Sequence, residues 1–345
     1  MTPESTPKPH RLPAPSRWRP WLWPLYRYLL KFGADPILVG PWKSEVGFEA
    51  LYWLPWLAQV RRDLNLPPAR IIPISRGGAA AWYAVPKGIE LYDMRSPQDV
   101  RVEQRLQQAQ TGTVKQRTIT AFDRGILADA AQTLGLGRRY GVLHPAWMYQ
   151  ALAPFWETRQ GLAWLGRQMP LGYLPPAPVL TDVTLPEHFV AVRFYFRPTF
   201  PLNPTNIQFA KETIRQLASR QAVIVLNSGL SLDDHLDYVP RDVPNVVVLA
   251  EQAPLTAQNN LLVQSAILAK ADAFVGTYGG MAQLALRFKK PVISVFDDWH
   301  STALAHKTLS EAIALQSGVP FTVVSIRVLP QLQHALPTVT AAAER

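Results

Sequence analysis

Short apolar runs alternate with stretches of helical periodicity along most of the chain. In the first half, apolar runs over 36–40 and 70–75 flank a segment from Glu45 to Arg62 in which apolar residues recur at helical spacing. A strand, a helix and a second strand in this order form a βαβ unit, which implies a parallel sheet. The other elements predicted in this half are helices over 101–110 and 126–136 and a strand over 118–122.

The second half shows the same alternation more clearly. The predicted strands cover 189–196, 222–226, 245–249, 273–275 and 291–295, and the predicted helices cover 205–219, 259–270 and 279–288. This order is typical of a doubly wound α/β domain, in which ligands bind at the carboxyl ends of the strands.

Proline-rich stretches and changes of pattern divide the chain into five regions. The segment 171–187 is rich in proline and has little helical periodicity, so it is predicted to be a semi-rigid linker. The full prediction is a basic tail with a short helix over 1–35, an N-terminal α/β domain over 36–170, the linker over 171–187, a C-terminal α/β domain over 188–330 and a tail over 331–345.

The short helix of the first region has an apolar stripe flanked by Arg27 and Lys31. Its members fall at i, i+3, i+4 and i+7: Leu25, Tyr28, Leu29 and Phe32. One interpretation is that residues 17–35 lie on an acidic membrane surface, because aromatic and basic residues are typical of interfacial helices. The other is that the helix docks on its own domain and its aromatic residues are core.

The amino-acid composition and the net charge exclude several classes of function. The chain of 345 residues has no cysteine, which excludes disulfides, thiol nucleophiles and Cys-ligated metals. Its net charge of +10 favours anionic partners, but no nucleic-acid-reading module is present, so nucleic acid is not an expected partner. No apolar run is long enough for a membrane span and no signal peptide is recognisable, so a cytoplasmic location is expected, peripheral on the inner face of the membrane if the stripe binds lipid.

A glycine-rich loop joins a strand to a helix in the C-terminal domain. It consists of Gly276, Thr277, Tyr278, Gly279 and Gly280. Glycines let backbone N–H groups approach an anion, and a helix N-terminus adds partial positive charge. The loop is neither a P-loop nor Gly-x-Gly-x-x-Gly, which disfavours NAD. The alternative interpretation is that these residues form an ordinary turn between a strand and a helix and bind no anion.

Two arginines and an asparagine are further candidates in this domain. Arg193 and Arg197 flank the end of the first strand and face the same side of an extended chain, where guanidinium groups can bind phosphate oxygens. Asn259 stands at a helix start, either as a cap or in contact with a nucleotide. The chain has no Asp-x-Asp motif, so we expect no metal and no cofactor.

These motifs resemble the GT-B glycosyltransferases, in particular the heptosyltransferase-like bacterial enzymes. The resemblance rests on the strand, the Gly/Thr-rich loop, the helix and the Lys-Pro-Val-Ile sequence before the next strand. It implies two doubly wound Rossmann-like domains that face each other across a cleft. It also implies that the loop over 276–280, together with Gln283, holds the diphosphate of a nucleotide-sugar. The acidic or serine residue that is usual in this loop is absent here.

The first domain adds to the resemblance. Heptosyltransferases carry an acid that is followed five residues later by Leu-Pro, and in this chain Glu49 precedes Leu54 and Pro55 at that interval. The match implies that Glu49 is the general base that deprotonates the acceptor, with Glu45 one helical turn earlier as the second candidate. Alternatively, both carboxylates only stabilise a helix N-terminus. Trp42 and Arg76 are predicted on the acceptor side.

The sequence therefore predicts a metal-independent glycosyltransferase. Its donor would be a nucleotide-sugar held by the C-terminal domain, its acceptor a glycan or a lipid-linked glycan held by the N-terminal domain, and inversion is implied by the resemblance alone. Two other interpretations stay open: a nucleotide-sugar epimerase, and a non-catalytic module that binds a nucleotide-sugar or a glycan.

Overall fold

A computed structural model describes residues 22–33, 35–137, 139–179, 183–232, 235–252, 254–297 and 301–328. Residues 1–21 of the predicted N-terminal tail and the predicted C-terminal tail over 331–345 lie outside the described residues.

The first half contains a parallel sheet of four strands. They are β1 (Ile37–Val39), β2 (Ile71–Ser75), β3 (Ile89–Glu90) and β4 (Gly141–Leu143), in the spatial order β3-β2-β1-β4. The side chains of β1, β2 and β4 are buried on both faces, as expected for a parallel sheet covered by helices.

Helices cover this sheet on both sides. They are α1 (Leu22–Tyr28), α2 (Val46–Phe48), α3 (Leu54–Leu64), α4 (Pro97–Thr111), α5 (Ala121–Thr133), α6 (Pro145–Ala151), α7 (Ala153–Trp156) and α8 (Leu162–Gln168). A π-helical segment over Glu49–Trp53 joins α2 to α3. The helix predicted over 45–62 is therefore present as one continuous helical stretch from Val46 to Leu64, and Glu45 precedes it in an extended conformation.

The second half contains a parallel sheet of six strands. They are β5 (Phe189–Arg193), β7 (Ala222–Val225), β9 (Val246–Val248), β10 (Ala273–Thr277), β11 (Val292–Phe296) and β12 (Phe321–Ser325), and a small antiparallel pair is formed by β6 (Tyr195–Phe196) and β8 (Leu236–Asp237). The spatial order is β12-β11-β10-β5-β7-β9. Counted along the chain this is 3-2-1-4-5-6, the strand order of the Rossmann fold.

Five helices accompany this second sheet in the described part of the chain. They are α9 (Pro204–Ala218), α10 (Leu249–Gln252), α11 (Asn260–Lys270), α12 (Gly280–Arg287) and α13 (Ser301–Ser317). The two sheets fall on either side of a large cleft. The predicted fold class, two doubly wound Rossmann-like domains facing across a cleft, is confirmed.

The strand predicted over 118–122 is wrong, because these residues start a helix. The Thr120 hydroxyl accepts the backbone N–H of Asp123, and the Asp123 carboxylate accepts the backbone N–H of Thr120. This capping box fixes the first turn of α5. The sequence analysis also missed β4, β12 and the long helix α13.

The two halves share a continuous hydrophobic core beside the cleft. Leu51 and Trp53 from the first half belong to the same buried cluster as Met281 and Leu284 from α12. A Cβ atom at Gly280 would lie 3.0 Å from the Val46 Cβ and 3.1 Å from the Gly47 nitrogen. Glycine therefore lets the start of α12 pack directly against the backbone of α2.

Candidate functional site

The cleft between the two halves has a volume of about 1230 Å³. Single-ligand sites usually measure about 300–1,000 Å³, so the space is sufficient for two substrates. Among the described residues, nine Lys and Arg side chains line it against two Glu, Glu45 and Glu157. The basic residues are Lys43, Arg76, Arg101, Arg105, Lys115, Arg117, Arg159, Arg193 and Arg197. The cleft is therefore suited to anionic ligands.

Arg193 lies at the point where the strand order of the second sheet reverses. In this fold a ligand binds at the carboxyl ends of the two strands that flank the reversal, here β5 and β10. The guanidinium of Arg193 donates to both carboxylate oxygens of Asp237, at 3.2 Å each, and to Gln264 Oε1 at 3.4 Å. Asp237 is held in turn by the side-chain amide of Asn227 at 3.0 Å. Arg193 is thus oriented before any ligand arrives.

Arg197 lines the same wall, two positions beyond Tyr195. Its Nη1 approaches Gly279, since it would lie 3.5 Å from a Cβ atom built there. The Tyr195 hydroxyl is closer still, and a Cβ atom at Gly279 would clash with it. Residues 193, 195 and 197 alternate along an extended chain and all three line the cleft.

The predicted phosphate loop is divided between the cleft and the sheet. Tyr278, Gly279, Gly280 and Gln283 line the cleft. Burial, only partly offset by Gln283, raises the pKa of Tyr278 to about 12, so its hydroxyl remains a donor at neutral pH.

Gly276 and Thr277 are not cleft residues, contrary to the sequence-based expectation. A Cβ atom at Gly276 would clash with the Arg193 carbonyl oxygen, so glycine is needed there for the close approach of β10 to β5. The Thr277 hydroxyl accepts the Tyr195 N–H at 3.1 Å and donates to the Tyr195 carbonyl at 3.2 Å. Both residues shape the sheet end and do not face an anion.

Asn259 is likewise structural. Its Oδ1 accepts the Thr256 N–H at 2.8 Å and its Nδ2 donates to the Pro254 carbonyl at 3.3 Å. The next residue, Asn260, lines the cleft in its place.

Glu49, the first candidate for the general base, is fully buried. Its carboxylate accepts the hydroxyls of Ser75 at 2.8 Å and Tyr83 at 2.6 Å, and Arg76 Nη1 at 3.3 Å. Burial raises the pKa of Glu49 in spite of these three donors. Because no acceptor hydroxyl can reach it from the cleft, this placement speaks against Glu49 as the base.

Of the two residues predicted on the acceptor side, Trp42 is buried and Arg76 lines the cleft. Trp42 is buried, with its ring stacked at 5.8 Å from Trp53 and 6.5 Å from Tyr149, so it is a core residue and does not line an acceptor groove. Arg76 does line the cleft, although its guanidinium pairs with Glu49.

Glu45 is the candidate base that faces the cleft. Its side chain is 49% exposed and its carboxylate forms an ion pair with Lys115, whose ammonium also lies 3.4 Å from the Phe48 ring centroid. Desolvation opposes the charge of Glu45, but the ion pair with Lys115 and the charge of Arg197 outweigh it and hold its pKa below the ordinary value. Glu45 is therefore ionised at neutral pH.

The loop before Glu45 is fixed by buried polar contacts. The Lys43 N–H donates to Gln116 Oε1 at 2.8 Å, and the Lys43 ammonium lies 2.6 Å from Asp123 Oδ1. Burial opposes the charge of Asp123, yet His144 and Lys43 hold its pKa far below the ordinary value. These contacts set the position of Glu45 relative to Lys115 on the neighbouring loop.

Comparison with solved structures returns a heptosyltransferase of E. coli, WaaC. The structure with ADP matches at a TM-score of 0.38 and 16% identity, over 84% of this chain and 93% of that chain. The structure with ADP-2-deoxy-2-fluoro heptose matches at a TM-score of 0.37 and 16% identity, over 84% of this chain and 92% of that chain. No protein-family model matches the chain, and no curated protein matches it.

Several cleft residues were not predicted from the sequence. They are Tyr195, Lys115, His306 and the arginines of α4 and the following loops. Asp237, which orients Arg193 from outside the cleft lining, was not predicted either. Tyr195 could have been found, because it stands between Arg193 and Arg197 in the alternation of an extended strand. Lys115 lies in a loop without periodicity and His306 on the unpredicted α13, so no local signal marks them.

In the described part of the chain, neither a metal-binding cluster nor a membrane-spanning helix is found. There, no three His, Asp or Glu side chains come together in a way that could hold a metal ion. None of its helices has both the length and the apolar composition that a membrane crossing requires. Metal independence stays a prediction.

Proposed function

We propose that the protein is a glycosyltransferase that moves a sugar from a nucleotide-sugar to a hydroxyl group of a glycan or glycolipid acceptor. The observation that carries the proposal is the convergence of three features on one cleft. Arg193 and Arg197 lie at the reversal point of a Rossmann-type sheet, the glycine-lined start of α12 lies beside them, and the carboxylate of Glu45 lines the same cleft.

In the proposed reaction, the acceptor oxygen attacks the anomeric carbon of the donor sugar. Glu45 takes the proton of the acceptor hydroxyl, and the bond between the anomeric carbon and the diphosphate breaks, with its electron pair leaving on the phosphate oxygen. Arg197 and Arg193 stabilise the negative charge of the leaving diphosphate. Glu157, the other lining acid in the described chain, is paired with Arg159. Because Glu45 is assigned to the proton of the acceptor and not to attack on the sugar, the proposed reaction is a single displacement with inversion.

The acceptor is proposed to be anionic. Arg101, Arg105, Lys115 and Arg117 lie on α4 and the loop that follows it, on the first-half wall of the cleft. They are separate from the arginines assigned to the donor, and their summed positive charge on this wall favours a second anionic group.

A thermal-shift screen with UDP-, GDP-, ADP-, CMP- and dTDP-sugars tests the donor assignment. We expect at least one nucleotide-sugar to raise the melting temperature, because a ligand present at 100 times its Kd stabilises the folded state by about 2.7 kcal/mol. Arg197→Ala should weaken its binding about tenfold or more, since a charge-assisted hydrogen bond contributes about 1.5–3 kcal/mol. Arg220→Ala, an exposed arginine at the end of α9, is the matched control. A screen without any shift, or equal binding by the Arg197 variant, contradicts the proposal.

The α1 region is proposed to bind the surface of an acidic membrane, which would place the enzyme on the inner face of the cytoplasmic membrane. One side of this region is docked: Tyr26 stacks on Trp147 at 4.7 Å, and Arg70 donates to the Leu30 carbonyl at 3.0 Å. The opposite side carries the predicted stripe, whose members are 47–65% exposed: Leu25, Tyr28, Leu29 and Phe32. One face of the helical segment over 22–33 thus docks on the domain, and the membrane interpretation concerns the opposite face.

Sedimentation with vesicles of phosphatidylcholine and phosphatidylglycerol tests this surface. We expect the full chain to bind and the double variant Leu25→Ser, Phe32→Ser to bind at least about tenfold more weakly, because burying one such side chain in an apolar phase contributes about 1.5–3 kcal/mol. Leu315→Ser is the control, since Leu315 is 87% exposed on α13, away from this helix. Equal binding by the double variant and the full chain argues against a membrane role for α1.

A further inference from the structure

His306 has no part in the function proposed above, although it lines the cleft beside Glu45. It is carried by α13 of the second half and reaches the first half, where its Nδ1 lies 2.7 Å from the Tyr52 hydroxyl. Its ring packs edge-on against Phe48 with a centroid separation of 4.6 Å. The imidazole is therefore fixed in place by contacts across the two halves.

The imidazole of His306 is neutral at physiological pH. Burial lowers its pKa to about 4, with Lys115 and Arg197 acting in the same direction and Glu45 in the opposite one. A neutral imidazole has one N–H donor and one nitrogen lone pair, so the tautomer decides what it can do.

The Tyr52 hydroxyl determines the tautomer. Tyr52 is fully buried, and burial raises its pKa far above the ordinary value, so the hydroxyl keeps its proton. Within the described chain, His306 Nδ1 is the acceptor placed at hydrogen-bond distance from that hydroxyl. If Nδ1 carried the hydrogen instead, the buried O–H of Tyr52 would be left without an acceptor, which is unfavourable. Tyr52 therefore donates to Nδ1, and the ring hydrogen is on Nε2.

The other ring nitrogen of His306, Nε2, is accessible from the cleft. It forms no hydrogen bond with the described residues and is not among their fully buried unpaired atoms. The polar groups that act on the His306 ring from the surrounding elements are Glu45, Lys115 and Arg197. Lys115 is already paired with the Glu45 carboxylate.

We propose that His306, locked by Tyr52 as the Nε2–H tautomer, donates a hydrogen bond to a substrate oxygen bound between Glu45 and Arg197. A neutral donor at this position fixes the orientation of a sugar or phosphate oxygen without taking a proton from it. The role at the reaction centre rests on the proposed glycosyl transfer, whereas the tautomer follows from the resting structure alone.

Nitrogen-15 NMR of histidine-labelled protein tests the tautomer. The chain has seven histidines, and the His306 signals are identified by their loss in His306→Gln. We expect hydrogen on Nε2 and a bare Nδ1 between pH 5.5 and about 8, with the preference lost in Tyr52→Phe and kept in Tyr238→Phe. Hydrogen on Nδ1, or a charged imidazolium at pH 7, overturns the proposal.

Activity with the nucleotide-sugar found in the thermal-shift screen tests the contact with substrate. We expect His306→Phe to lower kcat about tenfold or more and His306→Gln to retain more activity, because the glutamine amide can donate in place of Nε2–H. If the two variants lose kcat equally, and their melting temperatures fall by equal amounts, His306 has a packing role. That result would overturn the contact with substrate. If no nucleotide-sugar binds, the glycosyltransferase proposal fails, the substrate contact falls with it, and the NMR result still decides the tautomer.

Discussion

Replacing Arg287 by methionine is expected to destabilise the protein by at least about 3 kcal/mol, because several hydrogen bonds from a charged donor are lost at once. Arg287 ends α12 and has no exposed surface. Its guanidinium donates to four backbone carbonyls, those of Ala50 at 3.2 Å, Leu51 at 3.1 Å, Tyr173 at 2.9 Å and Leu171. Methionine fills much of the volume but leaves these carbonyls without that donor.

The measurement is a urea unfolding curve followed by tryptophan fluorescence. Arg287→Lys is expected to recover little, because an ammonium cannot reproduce the planar fork that serves several carbonyls. Arg220→Met is the control, since this exposed arginine should change stability by less than about 0.5 kcal/mol. A wild-type unfolding midpoint for Arg287→Met would show that the four contacts contribute little.

Arg287 also shows why the relation between the two halves could not be predicted. The carbonyls that it binds belong to the π-helical segment of the first half and to the connection over 171–173, more than 110 positions away in the chain. Sequence patterns report local periodicity and do not contain this pairing. An arginine with two lysines two and three positions later at a helix end is also typical of a solvated C-terminus.

The elements with strong local signals were predictable. The Rossmann-type half was predicted because its strands are continuous apolar runs and its helices begin at Pro204 and near Gly280, which are local start signals. The strand over 118–122 was wrong since its isoleucine and threonines suit a strand, while the Thr120–Asp123 capping box starts a helix. A strand of three residues such as β4 carries too little pattern to be recognised.

The candidate site was predictable where backbone alternation decides which way a side chain faces. Arg193 and Arg197 follow the alternation of a strand and line the cleft. Glu45 and Glu49 were placed on one helical face, but the helix begins only at Val46 and Glu45 has extended dihedral angles, φ −66° and ψ 145°. The i, i+4 rule therefore does not apply to this pair, and the two carboxylates lie in different environments.

This difference between the two carboxylates leads to the prediction with the largest effect on activity. Glu45→Gln is expected to lower kcat by about 10²–10⁴, the usual contribution of a general base, while the nucleotide-sugar still raises the melting temperature. Because the pKa of Glu45 lies below its ordinary value of about 4.3, the wild-type rate should fall on the acid side only below that pH. The measurement is transfer to acceptor across a pH series, with donor binding followed in parallel.

Glu49→Gln is the matched variant, because Glu49 stands four positions later in the chain and is fully buried, outside the cleft lining. It should lower stability by about 1–3 kcal/mol, because an amide cannot accept from Ser75, Tyr83 and Arg76 together as the carboxylate does. The folded fraction should keep most of its activity. The opposite pattern, loss of transfer in a stable Glu49→Gln protein and an active Glu45→Gln protein, would return the base to Glu49 and require the cleft to open much further than it does here. If the wild-type chain binds the nucleotide-sugar but transfers no sugar, and neither variant changes that binding, the chain is a binding module. Unchanged transfer in both variants would mean that neither carboxylate is the base.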